Sequence, residues 1–324
     1  MGKLYPLKFK PILKERIWGG DKLKTYLNKE LGDLKNVGES WEISALEGNE
    51  TTVANGSLKG KTIRELIGEF GVRFLGKKPL IHFGESFPLL IKYIDASDDL
   101  SVQVHPDDSV AKRRHNSFGK TEMWYIMQTD EDANIINGFK SDTKKATYLE
   151  RLEKGELLSL LAHQAVTKGD AVFIPAGRVH ALGKGILLAE IQQSSDITYR
   201  IFDYNRKDAQ GNYRELHTSQ ALNVIDFSRP KNNKSNYQLR KNVSNKVIHC
   251  DYFKTDMLLI ENEINRNYEK LLTFKIYMCV EGKVDLQVNV ETTPLFMGET
   301  ILIPSDIEEV KLISENAKVL EIYI

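Results

Sequence analysis

Residues 169–180 read Gly-Asp-Ala-Val-Phe-Ile-Pro-Ala-Gly-Arg-Val-His. A glycine opens the stretch, the run from Ala171 to Ile174 has strand composition, Pro175 and Gly177 close it in a turn, and His180 follows. The frame recurs: Gly298-Glu-Thr-Ile-Leu-Ile-Pro304 also sets a glycine five residues before a proline. Each copy follows an aromatic-containing strand pattern, residues 123–127 in the first and 274–279 in the second. A glycine turn, a strand and a proline turn in both halves predict two related β units.

Outward from that stretch, short apolar and β-branched runs recur between Gly, Asp, Asn and Pro at residues 88–94, 100–104, 133–137 and 186–192. Many short strands separated by turn residues predict a mainly β sandwich or barrel rather than alternating βαβ units. Helices enter as short insertions at 62–70 and 144–163, where apolar residues fall at helical spacing, and at 219–227. The stretch 228–245 is rich in Ser, Asn, Lys and Arg and reads as a linker or surface excursion. The boundary drawn there gives two domains, 1–235 and 236–324.

The chain has 324 residues, of which 41% are hydrophobic and 28% charged, enough to bury a core and too apolar for a disordered chain. Lys and Arg total 45, as do Asp and Glu. With no net field to hold nucleic acid or an anionic membrane, neither is an expected partner. Two cysteines, Cys250 and Cys279, are too few for a disulfide framework. Lys and Pro interrupt every apolar run near the N-terminus, so no signal peptide or membrane span is expected and the protein reads as cytoplasmic.

Four side chains carry the chemical reading: Gln103 and His105 in SVQVHPDD, Glu122 in GKTEMWYIM and His180 in the opening stretch. Strand residues two apart share a face, so Gln103 and His105 project together. Two imidazoles, a carboxylate and an amide oxygen form a mixed N/O set suited to zinc or another first-row divalent ion, with a coordination position left for substrate. His82, His115, His163, His217 and His249 have no partner at ligand spacing and read as surface or core residues. Gly183-Lys184-Gly185 is too short for a phosphate loop and reads as a strand-connecting turn.

The frame GxxxxxPxGxxH resembles the second motif of the cupin superfamily. Together SVQVHP, GKTE, PAGRVHALG and AEIQQSSDITYR resemble the zinc-dependent type I mannose-6-phosphate isomerases in their short bacterial form, with matching motifs from Trp18 to Arg206. The resemblance implies two cupin-type jelly-roll β-barrels with a few short helical insertions. It also implies one Zn2+ per chain on Gln103, His105, Glu122 and His180. Glu190 and Arg200 match active-site positions, Lys120 a lysine near the substrate, and Ser101 a substrate contact. Trp18 in RIWGG and Trp41-Glu42 in GESWEIS resemble segments that close the site. After Pro304 the chain reads SDIEEV, without the glycine and histidine of the first unit, so residues 246–324 are expected to form a degenerate barrel that binds no metal.

The implied activity is an aldose–ketose isomerisation of mannose 6-phosphate and fructose 6-phosphate through an enediolate. Its expected partner is a small sugar phosphate, and the chain is expected to be a monomer or weak homo-oligomer. Glu190 is the first candidate for the proton-transferring base and Arg200 for a cation where charge develops. Arg200, Lys120, Lys92 and Lys112-Arg113-Arg114 are candidate phosphate donors, the last reading more simply as a solvated helix face. The alternatives are an isomerase of another sugar phosphate and a non-catalytic sugar-phosphate sensor; the bare cupin frame would also admit an iron oxygenase.

Overall fold

The computed structural model describes residues 2–207, 211–231 and 234–324. Its first strands are β1 (Leu7–Lys10), β2 (Ile12–Gly20), β3 (Val37–Ile43), β4 (Ala45–Leu46), β5 (Asn49–Glu50) and β6 (Thr52–Val53). Then come β7 (Leu89–Ala96), β8 (Val102–Val104), β9 (Glu122–Thr129), β10 (Asn134–Phe139), β11 (Leu161–Ala165), β12 (Ala171–Ile174), β13 (His180–Leu182), β14 (Ile186–Gln193) and β15 (Tyr199–Phe202). The last six are β16 (Ser244–His249), β17 (Lys254–Asn267), β18 (Lys275–Val288), β19 (Glu291–Phe296), β20 (Thr300–Ile303) and β21 (Glu309–Tyr323).

The mainly β expectation holds, with a difference in closure. The first unit is a six-stranded sheet, β12-β9-β14-β7-β3-β2, set against a five-stranded sheet, β11-β10-β13-β8-β15, with no ladder joining them among the described residues. The second is one eight-stranded sheet running β16-β17-β21-β18-β20-β1-β6, with β19 on β18. Its long strands β17, β18 and β21 carry bulges between Ile260 and Asn262 and between Cys279 and Glu281, where extra residues bend the ladder. Open edges are covered by chain instead of closed by pairing: Ser235 N donates to Ala171 O at 2.8 Å and the Tyr237 hydroxyl to Gly169 O at 2.6 Å, along edge strand β12. The stretch read as a linker is that cover; Asn232 and Asn233 within it lie outside the described residues.

Period-two alternation divides the six-stranded sheet between two cores. Met123, Tyr125 and Met127 on β9, with Leu187, Ala189 and Ile191 on β14, pack against Ile276, Met278, Leu320 and Ile322 of the second unit. Trp124 and Ile126, with Leu188, point the other way and meet Ile135 and Leu182 of the five-stranded sheet. Both faces are covered, which is why β7 and β14 are buried at every residue. We propose residue 235 as the limit between units, with β1 crossing it to pair with β20.

The repeat is present in the pairing itself. Residues 171–174 run antiparallel to residues 122–125, and residues 300–303 likewise to 275–278. Both opening glycines have left-handed backbones, φ 93° at Gly169 and 86° at Gly298.

The helices begin near their expected places, although the one expected over 219–227 spans only Thr218–Ala221. Thr62 caps Ile63–Phe70, its hydroxyl accepting from Glu65 N at 3.2 Å while the Glu65 carboxylate accepts from Thr62 N at 2.7 Å. The helix expected through residue 163 stops early, at Lys145–Glu153. Gly155, at φ 71°, turns the chain into a short 3-10 segment and then β11. Leu157 and Leu161 stay in the core covering the five-stranded sheet, so helical apolar spacing continues across a change of structure.

RIWGG owes its glycines to close approach. A Cβ on Gly19 would lie 2.0 Å from the Asn36 carbonyl oxygen, whereas one on helical Gly68 meets nothing within 4 Å. We expect Gly19→Ala to cost about 3 kcal/mol and lower the Tm of a thermal melt. Gly68→Ala is expected to raise stability by up to about 1 kcal/mol. Equal melting of the two variants would contradict the steric reading.

Candidate active site

His105 follows β8, Glu122 opens β9 and His180 opens β13. Antiparallel pairing sets His180 opposite Gln103 and Glu122 opposite Ile174, so strands of the two facing sheets bring the three side chains together. Ligand atoms of His105, Glu122 and His180 lie within 4.8 Å of one another in a buried cluster. Glu122 stands 3.5 Å from His105 Nε2 and 3.3 Å from His180 Nε2. The Gln103 amide is 3.3 Å from His180 Nε2.

Glu122 and His105 lack protein partners in hydrogen-bonding geometry: both Glu122 oxygens and His105 Nε2 are buried without one. Such atoms are costly unless something satisfies them. His180 Nδ1 lies 2.8 Å from Arg178 O and donates to it, which leaves the Nε2 lone pair facing the cluster. Burial drives both imidazoles toward the neutral, ligating form, His180 down to about 4 and His105 well below its ordinary value. Burial also raises Glu122 to about 7, against the pull of Lys120, whose Nζ is 3.4 Å away. Two neutral imidazoles and an unpartnered carboxylate fit a divalent cation, which would replace the missing partners.

Next to the cluster lies a cavity of about 310 Å3, lined among others by Trp18, Ser101, Gln103, Lys120, Glu190 and Arg200. The sequence-expected site residues therefore converge. Glu190 Oε1 accepts from Trp124 Nε1 at 2.9 Å, and Oε2 lies 3.2 Å from Lys92 Nζ. Burial would raise the Glu190 pKa, but Lys92 and then Lys120 overcome it and hold the carboxyl below its ordinary value.

Other expectations separate. Trp41 lines the cavity, whereas buried Glu42 bonds Lys29 Nζ and the Ser40 hydroxyl, both at 2.6 Å. Lys112, Arg113 and Arg114 lie on the helix Asp108–His115, and none lines this cavity. Sequence reading missed Arg16 and Glu39, which pair at 3.1 Å, and Trp124 and Arg214. Strand alternation is the signal for the first two: Arg16 is two residues from Trp18, and Glu39 two from Trp41. Glu39 is held at about 2; burial opposes this, but Lys92, Arg16 and the Trp41 Nε1 hydrogen bond of 2.6 Å prevail.

In the second unit the corresponding register sets Lys275, not a carboxylate, opposite Ile303. Its buried Nζ donates to Ile307 O at 2.7 Å, and burial lowers it to about 8.

Replacing His105 by Ala should cut the divalent metal retained after gel filtration by at least about tenfold, since fewer donors remain to displace the ion's water shell. Metal content at the unaltered level would remove His105 from the cluster's ligands.

Comparison with known proteins places the chain in a family. Residues 6–132 match the family model "Phosphomannose isomerase type I, catalytic domain". The mannose-6-phosphate isomerase ManA of Bacillus subtilis is 38% identical over 310 residues, 95% of either chain. The mannose-6-phosphate isomerase of Streptococcus mutans is 33% identical over 304 residues, 94% of this chain and 93% of that one. Among solved structures, the mannose 6-phosphate isomerase from Bacillus subtilis superposes with a TM-score of 0.89 at 33% identity, covering 98% of this chain and 99% of that chain. An Archaeoglobus fulgidus protein described as a putative mannosephosphate isomerase, 23% identical, shares the fold with a TM-score of 0.79.

Proposed function

The chain belongs to the type I mannose-6-phosphate isomerase family, and from that premise we propose that it interconverts mannose 6-phosphate and fructose 6-phosphate through an enediolate at a zinc site. The observation that carries the proposal is the buried Glu122 carboxylate, without a hydrogen-bond partner, between two neutral imidazoles, beside a cavity that also holds Glu190 and Arg200. Gln103, His105, Glu122 and His180 would hold one Zn2+ per chain. The bound ion would supply Lewis-acid polarisation of the sugar oxygens, which acidifies the adjacent C–H bonds enough for a paired carboxylate to act as base.

Glu190 is the base in this reading. Its Oε2 has no hydrogen-bond partner, only the ion-pair contact with Lys92, so this oxygen can take the proton from one carbon and return it to the next. Trp124 holds the other oxygen and so fixes the carboxylate plane. Lys120 supplies positive field for the charge that develops on the sugar oxygens, and Arg200 offers its guanidinium donors to the phosphate. Ser101 gives a hydroxyl to the substrate, and Trp18 forms an apolar wall that excludes water from the reacting carbons.

No helix among the described residues is long and apolar enough to cross a membrane. A substrate small enough for a cavity of about 310 Å3 fits a hexose phosphate.

The test is conversion of mannose 6-phosphate to fructose 6-phosphate by purified protein, with chelator and then with zinc restored. Turnover should disappear and return. Glu190→Gln should lower kcat by about 10^2- to 10^4-fold while metal content stays unchanged. A glutamine variant with near-normal kcat would transfer the base role to another residue; folded, zinc-loaded protein without turnover would overturn the substrate assignment.

A further inference from the structure

Asp203, the residue after β15, gathers two guanidinium groups. Arg206 Nη2 meets its carboxylate at 2.7 Å and Arg214 Nε at 2.6 Å, with Arg214 Nη2 also bonded to it. The two arginines then differ. Arg206 continues to the Asp98 carboxylate at 3.2 Å and to the Asp99 carbonyl. Among the described residues Arg214 hydrogen-bonds Asp203 alone, which leaves Nη1 and its two N–H donors uncommitted, and Arg214, unlike Arg206, lines the cavity of the active site.

The chain after Arg214 is tied to the strand that carries Arg200. Arg200 Nη1 donates to Glu215 O at 2.9 Å, Arg200 N donates to His217 Nδ1 at 3.2 Å, and His217 N donates to Arg200 O at 2.7 Å. These bonds hold Arg214 beside Arg200 in the same cavity. The cost is like-charge repulsion: burial first, and Arg214 next, lower the Arg200 pKa. Arg200 Nε is buried without an acceptor. Arg206 is matched by Asp98 and Arg214 by Asp203, so among the described residues Arg200 has no carboxylate within ion-pair distance on a wall lined also by Asp196, Ser101 and Thr198. Convergent guanidinium donors without enough acceptors call for an anion with several oxygens.

We propose that Arg214 determines specificity, forming with Arg200 a two-guanidinium clamp on the dianionic phosphomonoester of the substrate, with Asp203 holding Arg214 in place. The inference rests on the reading of a sugar phosphate as substrate. It assigns Arg214 a direct part in recognition, selecting the phosphorylated sugar over the free one.

The test uses the zinc-loaded enzyme, with mannose 6-phosphate as substrate and inorganic phosphate as competing probe. Arg214→Met should raise both KM and the inhibition constant for phosphate by about tenfold or more, the loss expected for a charge-assisted bond, with a smaller change in kcat. Arg214→Lys keeps a cation for Asp203 without the planar fork and should recover part of both. Lys207→Ala, an exposed change in the same loop, should behave as the unaltered enzyme. Unchanged KM and phosphate inhibition in a folded Arg214→Met or Arg214→Lys enzyme would overturn the clamp, as would a fall confined to kcat with loss of zinc. Turnover by the unaltered enzyme tests the substrate reading separately, so the two failures are distinguishable.

Discussion

The central strands β7 and β14 of the six-stranded sheet have no solvent face. One face packs against the second unit through Met123, Tyr125, Ile191 and their neighbours, and the other closes on the five-stranded sheet through Trp124, Ile126 and Leu188. Each fully buried aliphatic side chain contributes about 1.5–3 kcal/mol relative to exposure, so neither cover can be removed cheaply. The second unit is thus a wall of the first. It keeps water from the back of the strands that carry Glu122, Lys92 and Glu190, and those strands supply the rigid frame on which the polar residues sit.

On that frame the inward-facing positions are polar at one end of the sandwich and apolar elsewhere. Lys92 and Glu190 face each other across paired strands, and Trp41 lies 5.1 Å under the Lys92 ammonium. Arg16, Glu39, Lys92 and Glu190 form an alternating line of charge, so each buried ion has an opposite neighbour. Buried ion pairs seldom add net stability, because desolvation takes back most of the Coulomb attraction. Their concentration beside unpartnered metal-type ligands fits a chemical role better than a structural one.

The sequence exposes the parts of this site that depend on local spacing. Gln103 lies on a strand that His105 directly follows, two residues on, and His180 follows a glycine–proline frame, so their convergence is legible. The helix beyond Glu153 was misread because Leu157 and Leu161 keep helical spacing while Gly155 changes the backbone. Arg214 was illegible for a different reason. It sits eleven residues beyond Asp203, and its place beside Arg200 depends on hydrogen bonds from Arg200 to Glu215 and His217 that leave no periodic trace. Closure was also beyond reach, since alternation reports which face is buried and not whether two sheet edges meet.

The repeat shows how one backbone arrangement can be satisfied in two ways. Through the matching ladders, Lys275 stands where the first unit has Glu122, Tyr277 where it has Trp124, Glu321 where it has Glu190, and Asp256 where it has Lys92. The polar character of these positions persists while their charges are rearranged. In the first unit a carboxylate between two imidazoles lacks a hydrogen-bond partner, and the polar atoms are left facing a cavity. In the second, Glu321 is bonded by Arg266 at 2.6 Å and by the hydroxyls of Tyr268 and Tyr277, and the Lys275 ammonium reaches the Ile307 carbonyl. A built-in ammonium and guanidinium there supply the positive charge that the first unit's ligand set is arranged to receive from outside. The physical difference between a site and a core is therefore small in sequence: one carboxylate exchanged for lysine, with an arginine and two tyrosines close enough to satisfy what remains.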